Sequence, residues 1–250
     1  MSRLLLGPAI AAAALVAQPA PAQQQRQPEP ALTTTGGVSL TTDYRFRGVS
    51  LSDGDPAVQG TINLNHESGL YAGAWASSLE GFGAVGGASA EVDLYAGYRR
   101  EIADGVTVDG GLLYYVYPGA EVGEFDYFEP YANVAATLGP VTSKVGLAYA
   151  WEQDALGGDD NLYLFNDNAI ALAGTAVTLT AHVGYNKGDS GLAFGSDYFD
   201  WSLGATASWR TLTLGFAYIG TDIGEAQAIA NRATPDIVDD AVVLSLTASF

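Results

Sequence analysis

The 250-residue sequence contains no cysteine and few charged side chains. The lack of cysteine excludes a disulfide scaffold, a cysteine-based zinc site and a thiol nucleophile. Charged residues are 15% of the chain, whereas ordinary soluble proteins have about 25%. The chain has 10 Lys and Arg against 28 Asp and Glu. The resulting net charge of −18 argues against a nucleic-acid partner, which requires a basic surface.

The sequence also lacks an apolar run long enough for a transmembrane helix, which needs about 20 residues. Its longest such run, residues 4–17, follows Arg3 and precedes small residues, as is typical of a secretory signal peptide. We therefore predict a cleaved signal peptide over residues 1–22. A Gln- and Pro-rich flexible leader is predicted over residues 23–35, and a folded domain over residues 36–250.

The rest of the chain alternates between apolar and polar residues with the period of a β-strand. In residues 198–209, every second residue is apolar: Phe199, Trp201, Leu203, Ala205, Ala207 and Trp209. We call each of the two alternating sets of residues in a strand a parity. We identify twelve such segments, which begin near residues 37, 56, 69, 89, 105, 126, 140, 161, 175, 197, 211 and 240. The eighth segment is the weakest because polar and apolar residues occur at both parities.

The connections between these segments alternate in length. Short turns such as residues 66–68 and 102–104 alternate with long loops such as residues 80–88 and 220–239. Short turns at one end and long loops at the other are typical of an outer-membrane barrel. We predict an all-β fold, a transmembrane antiparallel β-barrel of about twelve strands, with both termini on the periplasmic side. A soluble β-sandwich would not require all the long loops at one end.

Residues 42–50 (TDYRFRGVS), 56–60 (PAVQG), 66–78 (HESGLYAGAWASS) and 91–98 (EVDLYAGY) resemble the opening of the TorF-type porin family. The resemblance implies an outer-membrane barrel that is exported in a Gram-negative bacterium. It carries over no catalytic residue and identifies no solute.

Charged residues at the inward parity are the candidate pore-lining residues. They are Asp43, Arg45, Arg47, Glu91, Asp93, Arg99, Asp109, Glu129, Lys144, Glu152, His182 and Asp200. On the first strand we expect Tyr44 and Phe46 to point outward, between these inward charges. The side chains could pair with one another and fill a narrow barrel, or they could line a selective pore. Inward glycines at positions 97, 111, 146, 184 and 204 favour the pore, since they leave volume in the interior.

The remaining motifs do not predict an enzyme. Residues 81–86 match G-x-G-x-x-G, but a strand follows where a dinucleotide site needs a helix. His66 lies in a short turn and His182 at the inward parity, so neither forms a metal motif. We expect no catalytic, cofactor or metal site. The long loops are rich in Asp and Glu, which form either a solvated face or divalent-cation contacts to lipopolysaccharide.

The sequence therefore predicts a porin-like channel for passive passage of small solutes or ions. The alternatives are a non-conducting structural or adhesive barrel and, less favoured, an outer-membrane lipid hydrolase. Seven inward acids against four inward bases predict weak cation preference, opposed by Arg45 and Arg47 as a local anion site. Expected partners are outer-membrane lipids, lipopolysaccharide, small solutes and the barrel-assembly machinery, which would recognise the C-terminal strand ending in Phe250.

Overall fold

The computed structural model describes residues 31–80, 86–120, 125–230 and 233–250. The predicted signal peptide, residues 23–30 of the leader, residues 81–85 of the glycine-rich motif and the loop residues 121–124 lie outside this part of the chain.

Twelve antiparallel strands form one closed barrel, which confirms the predicted fold class. Each strand pairs with the next along the chain, and β1 closes the barrel by pairing with β14. Every barrel strand after the first begins within two residues of its predicted position. The barrel strands are β1 (Leu32–Thr41), β4 (Ala57–His66), β5 (Leu70–Ser78), β6 (Ala90–Ala103), β7 (Val106–Val116), β8 (Tyr127–Leu138), β9 (Val141–Ala150), β10 (Asn161–Ala171), β11 (Val177–Lys187), β12 (Tyr198–Trp209), β13 (Leu212–Thr221) and β14 (Ala241–Ser249).

The first strand differs from its prediction at both ends. It begins at Leu32, which pairs with His66, so residues 32–35 belong to the barrel and not to a leader. It ends at Thr41, and the chain then turns into the barrel interior. There two short strands, β2 (Arg45–Phe46) and β3 (Val49–Ser50), pair with each other. We call residues 42–52 the inserted hairpin.

The outer surface of the barrel is an apolar belt. Leucine, valine and aromatic side chains alternate along each strand and are exposed, as at Leu40, Leu203 and Val242. Because barrel closure pairs the strand backbone groups, this surface can lie in hydrocarbon. The described helical segments are α1 (Glu225–Ala230) and three short 3-10 turns, at Asp154–Leu156, Gly191–Ala193 and Pro235–Val238. None of the helices in the described residues is long and apolar enough to span a bilayer.

A repeated tyrosine–aspartate pair marks the loop end of the belt. In four hairpins, an outward tyrosine near the end of one strand donates a hydrogen bond to an aspartate at or near the start of the next: Tyr114 to Asp126, Tyr149 to Asp160, Tyr185 to Asp197 and Tyr218 to Asp240. The Tyr185 hydroxyl and the Gly188 N–H lower the pKa of Asp197 by hydrogen bonding to its carboxylate. Aromatic side chains with a polar partner are expected where a barrel crosses the membrane interface.

Candidate functional site

The inserted hairpin fills the loop end of the barrel interior. Its turn consists of Arg47 and Gly48, both with positive φ (48° and 82°), as in the two-residue hairpin turns that reverse a strand tightly. Tyr44 and Phe46 are buried inside the barrel, so the prediction that they point outward is wrong. The error arose because the alternating pattern continues through Thr41 into residues that leave the barrel wall.

Arg47 anchors the tip of this hairpin to the barrel wall. Its Nη2 lies 2.7 Å from each carboxylate oxygen of Glu129, and its guanidinium lies 4.2 Å from the ring centroid of Tyr163. The Glu129 carboxylate also accepts a hydrogen bond from Tyr115 (3.1 Å), and the Tyr198 hydroxyl donates to the Arg47 carbonyl oxygen (3.3 Å). The side chains of Arg47 and Glu129 are 0% and 1% exposed. The tip is therefore held by strands β8, β10 and β12.

Arg45 makes a separate set of contacts. Its Nε lies 2.6 Å from Asp43, and its Nη1 donates to the carbonyl oxygens of Gly48 and Asp239. Asp43 also accepts hydrogen bonds from Ser50 and Ser52. Asp43, Arg45 and Arg47 thus belong to the hairpin and not to a barrel strand. Because Arg45 and Arg47 each bind a carboxylate of the protein, the prediction of a shared anion site is wrong.

Glu91 and Asp93 form a buried pair of carboxyl groups near the hairpin. Both point inward on β6, as predicted, and Glu91 is 0% exposed. The Tyr44 hydroxyl donates to Glu91 Oε1 (3.1 Å), whereas Glu91 Oε2 and Asp93 Oδ1 have no hydrogen-bond partner among the described residues. Neither carboxyl group forms an ion pair among the described residues.

A second charged cluster crosses the interior toward the short turns. Lys144 lies 2.7 Å from Asp167, which also contacts His182 Nδ1 at 2.5 Å. His182 Nε2 lies 2.9 Å from both Asp200 and the Tyr163 hydroxyl. Asp167 was not among the predicted residues, because it lies in the eighth segment, whose two parities are mixed. The pairing of β10 with β9 and β11 places it beside Lys144 and His182.

A third cluster joins the remaining predicted basic residue to an acid. Arg99 Nη2 lies 2.6 Å from Asp109, and both residues point inward, as predicted. The Tyr71 hydroxyl donates to Asp109 at 2.5 Å and forms a short hydrogen bond with Tyr131. The inward tyrosines of these clusters were not predicted, although their parity in the sequence is that of the inward charges.

The inward glycines make room for side chains, not for solute. A Cβ atom at Gly97 or Gly111 would overlap the hydroxyl end of Tyr71 or Tyr131, and one at Gly184 would overlap Tyr163 and Asp200. A Cβ atom at Gly146 would overlap the ring of Phe165 in the same way, and one at Gly204 would approach the Phe216 carbonyl oxygen. The inference that these glycines leave an open volume is therefore wrong.

Two further predicted residues can be placed. Glu152 lies beyond the end of β9, exposed in the following loop, so its assignment to the interior is wrong. His66 contacts the Ser68 hydroxyl within one exposed turn. Among the residues that the structure describes, no group of three or more His, Asp or Glu side chains could hold a metal ion.

Comparison with known proteins gives a family and a fold. Residues 25–250 match the family described as "Bacterial protein of unknown function (Gcw_chp)". No curated protein matches the sequence significantly. The fold is similar to the NanC porin, with a TM-score of 0.58 and 11% identity over 87% of this chain and 99% of that one. It is also similar to the KdgM porin, with a TM-score of 0.57 and 8% identity over the same shares of the two chains.

Proposed function

The chain belongs to the Gcw_chp family, and we propose that it is a narrow outer-membrane channel for passive passage of small solutes or ions. The observation that carries this proposal is a polar, half-buried wall on the inside of the barrel. It consists of hydroxyl side chains from β1, β12 and β14: Ser39, Ser202, Thr206, Ser208, Ser245 and Thr247. A barrel with a dry interior would not need a wall of hydroxyl groups that water reaches.

The charge of the interior favours small cations. The described inward acids are Asp43, Glu91, Asp93, Asp109, Glu129, Asp167 and Asp200, and the inward bases are Arg45, Arg47, Arg99 and Lys144. Seven acids minus four bases leave an excess of three acidic side chains, and the acids stay in excess when His182, which contacts Asp167 and Asp200, is counted as a base and one carboxyl group is protonated. Each of the four bases lies within an ion pair, so none is free to attract an anion. The acidic loops at the barrel mouth add to the negative potential.

Several features support a location in the outer membrane of a Gram-negative bacterium. The apolar belt and the porin-like fold agree with it, as do the predicted signal peptide and the resemblance of residues 42–98 to the TorF-type porins. Lipids and lipopolysaccharide would then surround the belt and the loop rim. These partners belong to the proposal.

The alternative is a non-conducting structural or adhesive barrel, which the inserted hairpin and its buried ion pairs favour. A lipid hydrolase is less well supported. His182 faces the interior and contacts Asp167, Asp200 and Tyr163, so it is remote from the lipid-facing surface.

Single-channel recording of refolded protein in planar bilayers tests the proposal. Correct refolding is checked first by different gel mobility of unboiled and boiled samples. We expect discrete conductance steps and, in a KCl gradient, a reversal potential that indicates K⁺ over Cl⁻. Preference for Cl⁻ would overturn the cation assignment, and folded barrels without conductance would support the structural alternative.

Assembly provides a separate test at the C-terminus. The Phe250 N–H and carbonyl group form hydrogen bonds with Gly36 (2.9 and 3.0 Å), and these bonds help to join the last strand to the first. We propose that an insertion machinery recognises the exposed aromatic side chain of Phe250, which follows β14. We expect deletion of Phe250 to reduce the heat-modifiable protein in outer-membrane fractions, whereas Phe250→Tyr should retain it. Equal insertion of the truncated chain would contradict this.

A further inference from the structure

Among the residues that the structure describes, no positive charge pairs with the buried Glu91–Asp93 carboxyl groups. The two residues are separated by one position on β6, so their side chains lie on the same face about 7 Å apart at the backbone. Glu91 is fully buried and Asp93 is nearly so. Glu91 Oε2 and Asp93 Oδ1 are both buried without a hydrogen-bond donor from the part of the chain that the structure describes. Two ionised carboxylates in such a site would repel each other strongly.

Within the described part of the chain, the surroundings of the pair do not supply a cation. The titratable groups that face it are five tyrosine hydroxyls and the carboxylate of Glu129. The tyrosines are Tyr44 on the hairpin, Tyr95 on β6, Tyr115 on β7, Tyr117 just after β7, and Tyr127 on β8. On β5, the neighbouring Trp75 and Ser77 do not titrate. Arg47 is the cation of this region, and Glu129 already binds it. A single proton shared by the two carboxyl groups would remove the repulsion.

This pair also contacts the inserted hairpin. Tyr44, at the base of the inserted hairpin, donates its hydroxyl hydrogen to Glu91 and packs against Trp75 with a ring-centroid distance of 5.2 Å. The barrel strands are tied to neighbours on both sides, whereas β2 and β3 pair only with each other. If water must enter to solvate a second charge, the hairpin is the element that can be displaced without breaking the barrel.

We propose that Glu91 and Asp93 share one proton, and that this protonated pair holds the inserted hairpin inside the barrel. Loss of the proton to water changes the charge of the pair from −1 to −2. The hairpin then leaves its site, because water has to reach the pair, and the same water solvates Arg47 and Glu129 as their ion pair opens. The inference deepens the proposed function, since release of the hairpin would widen the channel at its loop end. Release itself does not depend on whether the barrel conducts.

Thiol labelling tests hairpin release without measuring conductance. The chain has no cysteine, so Val49→Cys, in buried β3, provides a unique thiol inside the hairpin. Asp55→Cys, an exposed position beyond the hairpin, corrects for the rise of thiolate with pH. The readout is the ratio of labelling rates of these two variants with a charged methanethiosulfonate reagent. We expect this ratio to rise at least tenfold between pH 6 and pH 9.

The Glu91→Gln substitution, made in the Val49→Cys variant, removes the second ionisation while retaining an acceptor for Tyr44. We expect it to hold the ratio at its low value at both pH values. If it fails to refold, Asp93→Asn is the second variant with the same expectation. The matched control is Asp104→Asn, in an exposed turn at the other end of the barrel, which should preserve the rise.

A ratio that does not change with pH, or that rises equally in Glu91→Gln or Asp93→Asn, would overturn the proposal. Conductance recorded on the same preparations separates the two claims. Conduction with pH-independent labelling would refute hairpin release alone. If labelling depends on pH in a barrel that does not conduct, only the proposed channel function is refuted.

Discussion

The two ends of the barrel interior contain the same kinds of ion pair, but these pairs differ in their exposure to water. On the loop side, Arg47 and Glu129 are 0% and 1% exposed, beneath the inserted hairpin. On the turn side, Lys144 and Asp167 are 36% and 27% exposed, although their separation is the same 2.7 Å. Distance alone therefore does not indicate what an ion pair does. The loop-side pair fixes a structural element, while the turn-side pair sets the charge of a wetted surface.

The energetic difference follows from solvation. Removing one partner of a buried pair leaves the other charge without water or a counter-ion, which costs about 3–5 kcal/mol. Removing one partner of an exposed pair lets water solvate the other, and the effect is about 0–1 kcal/mol. Substitutions at the two ends can therefore test whether the two ends differ in their access to water.

Arg47→Met should have the largest effect. It removes the guanidinium and leaves Glu129 buried without its partner, so we expect a loss of about 3–5 kcal/mol in the free energy of unfolding. The measurement is urea unfolding of refolded protein, followed by the gel mobility of the folded barrel. The double variant Arg47→Met with Glu129→Gln should recover much of the loss, because no buried charge then remains unpaired. Equal losses in the single and double variants would contradict the solvation argument.

A glycine on the loop side tests how tightly this end is packed. In Gly184→Ala, the added Cβ would overlap the Tyr163 hydroxyl and Asp200, so we expect a loss of about 1–3 kcal/mol. Gly60 on β4 is the control, since a Cβ atom there would have its nearest neighbour at 4.0 Å. The Gly60→Ala variant should unfold at nearly the wild-type urea concentration. A tolerated Gly184→Ala would mean that the interior is looser than these contacts indicate.

Most of the barrel could be predicted from the sequence because a membrane barrel repeats one local rule. Each strand alternates between lipid and interior, and each long loop marks the same end. The weak segment at residues 161–173 still formed β10, because its neighbours β9 and β11 supply pairing on both edges. Local alternation and a count of turns were sufficient for these elements.

The interior could be predicted only in part. The direction of a side chain follows from alternation along its own strand, whereas its contact partner comes from a distant part of the sequence. Parity correctly identified Glu91, Asp109 and Glu129 as inward. It could not indicate that residues 42–52 leave the wall, since Tyr44 and Phe46 continue the same alternation. The turn that reverses the hairpin is Arg47-Gly48, which lacks the usual Asn-Gly signal. Arg47 and Glu129 are 82 residues apart, and only the closed barrel brings them together.

The smallest effect on stability is expected at the turn side, where ion selectivity should change instead. In Lys144→Gln, Asp167 keeps its contact with His182 and remains accessible to water, so we expect a stability loss below about 1 kcal/mol. The interior becomes one unit more negative, so reversal potentials in a KCl gradient should shift toward stronger K⁺ preference. Lys187→Gln, at an exposed position near the loops, removes the same charge outside the interior and should shift the potential less.

Salt should distinguish this wetted pair from a buried one. Screening shortens the Debye length from about 10 Å at 0.1 M to about 3 Å at 1 M salt. The Lys144→Gln shift should therefore shrink when both chambers are raised to higher KCl at a constant ratio. A shift that is independent of salt would mean that ions pass within direct contact of Asp167. A large loss of stability in Lys144→Gln would instead mean that the turn-side interior is as dry as the loop side, and the difference between the two ends would disappear.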